Sequence, residues 1–207
     1  MSFAVGLCGG SGAAYGLRLV GALAELGRSV HVVATDAALR VLQHECGLSA
    51  AHGSLRSLWP EALRALITEH APQAVEAAPS SGSAGIEAVI LCPCSMGTLA
   101  RVAHGFSSNL VERMADVALK EGRPLVVVPR ETPLSQLHLR NMLRIAEAGA
   151  VVLPAMPGFY HRPRTVDDLV DFVVGKILDR LGVDSPRIRR WQTPGTPRSP
   201  WDEGERE

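Results

Sequence analysis

An apolar run at residues 3–8 ends in Gly9-Gly10-Ser11-Gly12, and the next stretch carries Leu17, Val20, Leu23 and Leu26 at helical spacing before Gly27 stops it. A strand that is apolar without alternation is buried on both faces. A glycine turn leading straight into a helix is then the opening of a strand–helix–strand unit. The pattern continues. Residues 30–34 read as a second strand, and Asp36 reads as the cap of a helix to about 45. Strand-like runs at 88–92, 124–128 and 151–153 are each followed by helical spacing. Ser95 and Asn109 read as caps of two of those later helices, the other two begin at about Ser135 and Val166, and the four run to about 103, 121, 148 and 181. Strands alternating with helices predict right-handed crossovers and a mainly parallel sheet covered on both faces. The fold class expected is therefore an α/β three-layer sandwich.

Between Gly47 and Gly85 the periodicity loosens. A helix is predicted over about 60–69. Pro79-Ser80-Ser81-Gly82-Ser83-Ala84-Gly85 reads equally as a linker or as a loop that covers a ligand. With 207 residues, the chain suits one domain over 1–185 and a tail over 186–207 rich in Pro, Arg and Glu.

Charge narrows the function classes. The 21 basic and 21 acidic side chains cancel, which argues against a general nucleic-acid binder. No run approaches the roughly 20 apolar residues of a membrane span. The segment from Met1 to Leu7 lacks the basic start of a signal peptide, so the cytoplasm is expected. Cys8, Cys46, Cys92 and Cys94 do not make a disulfide scaffold in a chain this long. They read as reduced, structural thiols, with a ligand-facing or redox role as the minority reading. His138 has no His or Cys partner at metal-ligand spacing, and the expected site is metal-independent.

In parallel α/β sheets, ligands bind outside the carboxyl ends of the strands, and five loops lie there. Gly9, Gly10 and Gly12 allow close backbone approach at a helix N-terminus, where Ser11 adds a hydroxyl. The loop has no Gly-Lys-Ser/Thr, and its next glycine, Gly16, comes one position late for a dinucleotide fingerprint. Asp36 falls where a ribose-binding acid would sit, although a plain helix cap is the commoner role. After the strand at 88–92, Ser95, Met96, Gly97 and Thr98 again offer hydroxyls and amides at a helix start. Two such loops at neighbouring strand ends suit a phosphorylated nucleotide. Arg130 suits a phosphate, and the adjacent Glu131 suits proton transfer. Tyr160 lies in a loop framed by Gly158 and Pro163, and Lys176 lies in the last helix.

Together these segments resemble the UbiX flavin prenyltransferase family over about residues 3–182. The likeness is carried by GGSGAAYGLRL at 9–19, CPCSMGTL at 92–99, NLVERMADVALKEGRPLVVVPRETP at 109–133, HLRNML at 138–143 and the stretch 154–181. The resemblance implies a flavodoxin-like fold, a homo-oligomer of dodecamer type and active sites between subunits. It implies joining a dimethylallyl group from dimethylallyl monophosphate to reduced FMN without a metal. The product, prenylated FMN, would serve a UbiD-type decarboxylase. It also implies that Gly9, Gly10, Ser11, Thr35, Ser95, Met96, Gly97, Thr98 and Arg130 bind FMN. Lys120, Arg130, Tyr160 and Lys176 would hold the leaving phosphate, and Glu131, Ser11 and Lys120 would take part in catalysis. Thr35 replaces the Ser of many members, and Lys176 the Arg of some. Val75 and Glu76 stand where the family often has a Trp in the prenyl pocket.

Two rivals remain at this stage. One is an FMN-dependent cysteine decarboxylase; the late loop here, Pro154-Ala155-Met156-Pro157, has Pro where those enzymes carry the Asn of Pro-x-Met-Asn. The other is a subunit that stores FMN without catalysis.

Overall fold

The computed structural model describes residues 2–47 and 54–184. The proposed tail over 186–207, and with it the end of the expected domain, lies outside the described residues.

Six strands form one sheet: β1 (Ser2–Leu7), β2 (Ser29–Ala34), β3 (Ile67–His70), β4 (Ile86–Cys94), β5 (Leu125–Pro129) and β6 (Val151–Val152). Their order is β3-β2-β1-β4-β5-β6, and every neighbouring pair is parallel. Apart from the edge strand β3, this is the flavodoxin-like order, in which the chain moves from β1 out to β2 and then returns across β1 to β4. The helices are α1 (Ala13–Glu25), α2 (Asp36–Cys46), the single turn α3 (Glu61–Arg64), α4 (Met96–Ala103), α5 (Leu110–Lys120), α6 (Gln136–Glu147) and α7 (Val166–Arg180).

The strand pleat sends alternate side chains to opposite faces, and two cores result. Phe3, Val5 and Leu7 meet Leu19 and Leu23 of α1 and Val174 and Ile177 of α7. Ala4, Val89 and Leu91 meet Leu99, Met114 and Ile145 of α4, α5 and α6. Helix α1 lies very close to the sheet at Gly16. A Cβ there would stand 2.3 Å from the Cys92 carbonyl oxygen and 2.3 Å from a Leu7 methyl. Only glycine fits.

The structure departs from the sequence expectations in three places. Residues 60–69 form one helical turn and then β3 rather than a single helix. The reason is tertiary. The Val30 amide donates to the Leu66 carbonyl at 2.8 Å, and the open edge of β2 recruits Ile67–His70 as a partner. Trp59, 5% exposed, anchors the approach by donating its indole N–H to the Leu17 carbonyl at 3.0 Å. The cap of α2 is Thr35 rather than Asp36: the Thr35 hydroxyl accepts the Ala38 amide at 3.1 Å, and Asp36 is the first helical residue. Lastly, β4 runs on through Pro93 to Cys94. The caps at Ser95 and Asn109 stand where the sequence places them, and Ser135, expected to begin its helix, is the cap of α6.

Candidate active site

The strand order reverses between β1 and β4, which opens a crevice at their carboxyl ends. Three helix starts surround it. Gly12 caps α1 in the left-handed region (φ 98°), and Thr35 and Ser95 cap α2 and α4 with their hydroxyls. The Ser95 oxygen accepts the Thr98 amide at 3.3 Å and lies 3.1 Å from the Thr98 hydroxyl. Arg101 reaches Thr98 at 3.4 Å and pairs with Glu112, whose side chain is fully buried. The start of α4 is thereby held by a charge pair anchored in α5.

Glycines let these loops converge. A Cβ on Gly9 would lie 2.6 Å from the Ala37 Cβ in the first turn of α2. A Cβ on Gly10 would lie 3.4 Å from the Ser95 nitrogen and 3.5 Å from the Cys94 carbonyl. Gly9 thus has no room for a side chain against α2, and Gly10 lies in van der Waals contact with the α4 start.

Glu45 is a site residue that the sequence reading misses. Its carboxylate accepts the Gly12 amide at 2.9 Å and the Ala13 amide at 2.8 Å, and it hydrogen-bonds Ser11. Partial burial pushes its carboxyl up. The bonds from Ser11, Ala13 and Gly12, together with the Arg130 charge, outweigh that and leave it below the ordinary carboxylate value. The positive end of α1, expected to cradle a phosphate, therefore already holds an anion from the same chain. One clue was present in the sequence. Glu45 lies in the last turn of α2, where a helix dipole disfavours an acid.

Arg130 and Glu131 follow directly on β5. The Arg130 Nε donates to the Ser11 carbonyl at 3.2 Å, which ties the end of β5 to the first loop. Glu131 accepts the Thr132 amide at 3.0 Å. The loop after β6 joins this edge through the Ala155 amide, which donates to the Pro129 carbonyl at 3.0 Å. It carries Tyr160, whose ring meets Phe172 of α7 edge-on, while His161 stacks on Phe172 at 5.0 Å between centroids. The Lys176 ammonium lies 5.6 Å from the centre of the same Phe172 ring. Tyr160 and Lys176 thus belong to one cluster.

The structure does not bring Lys120 to this crevice within one chain. It ends α5 and pairs with Glu121 at 2.7 Å. Because α5 returns antiparallel to the strands, Lys120 lies near the start of β5. Arg130 lies beyond the other end of that strand, about five residues or 16 Å away. Glu121 sits against Gly82, and Arg123 hydrogen-bonds the Gly82 carbonyl. The Ser/Gly-rich loop is therefore at the Lys120 end. Val75, in the family's Trp region, is 48% exposed.

The Flavoprotein family model matches residues 2–178. The flavin prenyltransferase UbiX of Pseudomonas aeruginosa is 46% identical over 196 residues, covering 89% of this chain and 91% of that protein. This chain belongs to the UbiX flavin prenyltransferase family. The family member from Halalkalibacterium halodurans is 47% identical over 193 residues, covering 91% of this chain and 92% of that protein. Among solved structures, AnUbiX (PadA1) in complex with FMN and dimethylallyl pyrophosphate superposes with a TM-score of 0.84. It is 38% identical and covers 94% of this chain and 98% of its own. A dodecameric FMN-dependent UbiX-like decarboxylase from Escherichia coli O157:H7 superposes with a TM-score of 0.83. It is 42% identical, covering 93% of this chain and all of its own. The rival cysteine-decarboxylase reading receives only a shared fold: a PPC decarboxylase mutant matches at 19% identity and a TM-score of 0.55.

Proposed function

We propose that the chain transfers a dimethylallyl group from dimethylallyl monophosphate to reduced FMN, giving prenylated FMN for a UbiD-type decarboxylase. The observation that carries this reading is the Arg130 bond to the Ser11 carbonyl. It sets a guanidinium and the neighbouring Glu131 at the lip of the crevice between the α2 and α4 starts. A store for FMN alone has no need of a cation and an acid on that side.

The residues divide the work by chemistry. Since α1 is already capped by Glu45, the FMN phosphate goes to the α2 and α4 starts, where Thr35, Ser95, Met96, Gly97 and Thr98 supply amides and hydroxyls. Gly9 and Gly10 let the ring system lie against backbone. Ser11, held by Glu45, presents its hydroxyl beside Arg130. Reduced flavin supplies the electron-rich ring that takes up the allylic carbon. Arg130, Tyr160 and Lys176 steady the departing phosphate, where charge develops. Glu131 moves the proton that ring closure requires. No metal enters, since the phosphate is met by cationic side chains.

Lys120 completes the phosphate site from a neighbouring copy. Its distance from Arg130 within one chain supports that arrangement, as does the dodecameric relative. So does the exposed apolar surface beside the strand ends, with Leu137 63%, Leu143 60%, Met156 63% and Phe159 70% exposed. We place the assembly in the cytoplasm; among the described residues no helix is long and apolar enough to cross a membrane.

Co-expression tests this. Lys120→Ala and Glu131→Gln chains are each inactive alone. Mixed randomly in one oligomer, about a quarter of the sites pair an intact Glu131 with an intact Lys120 from the neighbour, and activity returns to about that fraction of wild type. Mixed oligomers as inactive as either parent would refute a shared site.

A further inference from the structure

The roots of the two central cofactor loops are both cysteines. Cys8 immediately precedes Gly9, and Cys94 immediately precedes Ser95. The Cys8 amide donates to the Pro93 carbonyl at 3.1 Å. In a parallel ladder that bond sets Cys8 beside Cys94, on strands about 4.8 Å apart. Both side chains are buried, at 1% and 0% exposure, and both point into the same core layer. Cys92 points into the opposite layer and is no partner for Cys94. The Cys94 thiol donates to the Ser95 carbonyl at 3.5 Å, and the Cys8 thiol is its electrostatic neighbour across the strand pair. Adjacent strands and a shared core layer put the two cysteines within reach of a disulfide.

The surroundings favour reaction at Cys8. The neighbouring Cys94 side chain holds the Cys8 thiol below the usual value against the opposing effect of burial, and the Thr98 hydroxyl, the Ser95 backbone and the Arg101 charge add to this. The Cys94 thiol is pushed up, as befits the proton-holding partner. A thiol whose ionisation is favoured by a second thiol, a hydroxyl and an arginine, with that second thiol as its neighbour, is placed to form a disulfide once an oxidant reaches it. The proposed reaction makes no use of either thiol.

We infer that Cys8 and Cys94 form a reversible disulfide on exposure to hydrogen peroxide, and that this bond closes the FMN site. The Cys8 thiolate attacks peroxide; the O–O bond breaks, and with one proton taken up Cys8 becomes a sulfenic acid and water leaves. The Cys94 sulfur then attacks the Cys8 sulfur and loses its proton, and a second water departs with the former sulfenic oxygen. In sum, two thiols and one peroxide give one disulfide and two waters. Peroxide is little larger than water, and it is what reduced flavin yields on meeting dioxygen. The switch would therefore silence the site under the conditions that waste its reduced substrate.

The effect on FMN follows from packing. A disulfide brings the sulfurs to about 2.05 Å, well inside a thiol–thiol hydrogen bond. The two loops are packed together, since a Cβ on Gly10 would stand in van der Waals contact with Cys94 and Ser95 at 3.4–3.5 Å, so drawing the sulfurs together shifts both loops. The sulfenic and disulfide sulfurs also give up the hydrogen bond to Thr98, whose amide end belongs to the phosphate site.

The test rests on the reading above only for FMN binding between these loops, and it does not read prenyl transfer. The full chain carrying Cys46→Ser, which removes the exposed thiol, is treated with hydrogen peroxide. Intact mass should fall by two hydrogens, and digestion should give a Cys8–Cys94 linked peptide. FMN affinity should drop about tenfold, return with dithiothreitol, and stay constant when Cys8→Ser is added. Unlinked Cys8 and Cys94 peptides after treatment would overturn the inference, as would a linked pair with unchanged FMN affinity. If Cys8→Ser does not fold, the peptide map and reductant-reversible affinity of the Cys46→Ser chain decide alone.

Discussion

Glu131→Gln is expected to slow formation of prenylated FMN by about a hundredfold or more, the scale of a lost proton-transfer group. FMN affinity should change by no more than about twofold. The substitution is nearly isosteric. A Gln carbonyl can still accept the Thr132 amide that Glu131 holds at 3.0 Å, so the loop keeps its shape and Arg130 keeps its bond to Ser11. What is lost is the ability to take up and release a proton. Single-turnover formation of product, measured beside FMN titration, separates the two effects. Equal losses in rate and in FMN binding would make Glu131 a structural residue and remove the acid–base assignment.

Gly16→Ala is the second change with a large expected effect, this time on stability. The new methyl would meet the Cys92 carbonyl oxygen and a Leu7 methyl, each at 2.3 Å. A backbone carbonyl inside the sheet cannot step aside as a flexible side chain can. Helix α1 must lift from β4, at a cost of about 3 kcal/mol. For a chain of this size the thermal midpoint should fall by about 6–12 °C. Lifting α1 also drags the Gly9–Gly12 loop, so FMN affinity should drop in the same variant. Gly21→Ala is the control. A Cβ there would come only to 3.4 Å from the Trp59 ring, and its midpoint should move far less. Comparable shifts for the two variants would contradict the close α1–β4 approach.

The parts of this molecule written in the sequence are those fixed by local chemistry. The apolar run before Gly9 could only be a buried strand, and Ser95 and Asn109 announced their helices because a hydroxyl or amide cap acts within three residues. What the sequence hid was set by distance along the chain. Residues 67–70 became a strand because β2 offered an edge, although the stretch over about 60–69 reads as a helix. Thr35 took the cap that Asp36 seemed to own, one position away, because the Thr35 amide is tied to the Leu7 carbonyl at 3.0 Å as β2 ends. Glu45 lies 33 residues beyond Gly12 and reaches it only through the packing of α2 beside α1. Its presence is why we propose the α2 and α4 starts, rather than the first glycine loop, for the phosphate. Lys120 teaches the converse. A motif can single out a residue that one chain alone does not bring to the crevice.

The central claim is prenyl transfer to flavin, and one anaerobic assay addresses it directly. Purified protein is given reduced FMN and dimethylallyl monophosphate with a metal chelator present, and the flavin is then analysed by mass spectrometry. The account predicts conversion of FMN to the prenylated form, at a rate that the chelator leaves unchanged. Recovery of unmodified FMN alone, from protein shown to bind it, would contradict the account.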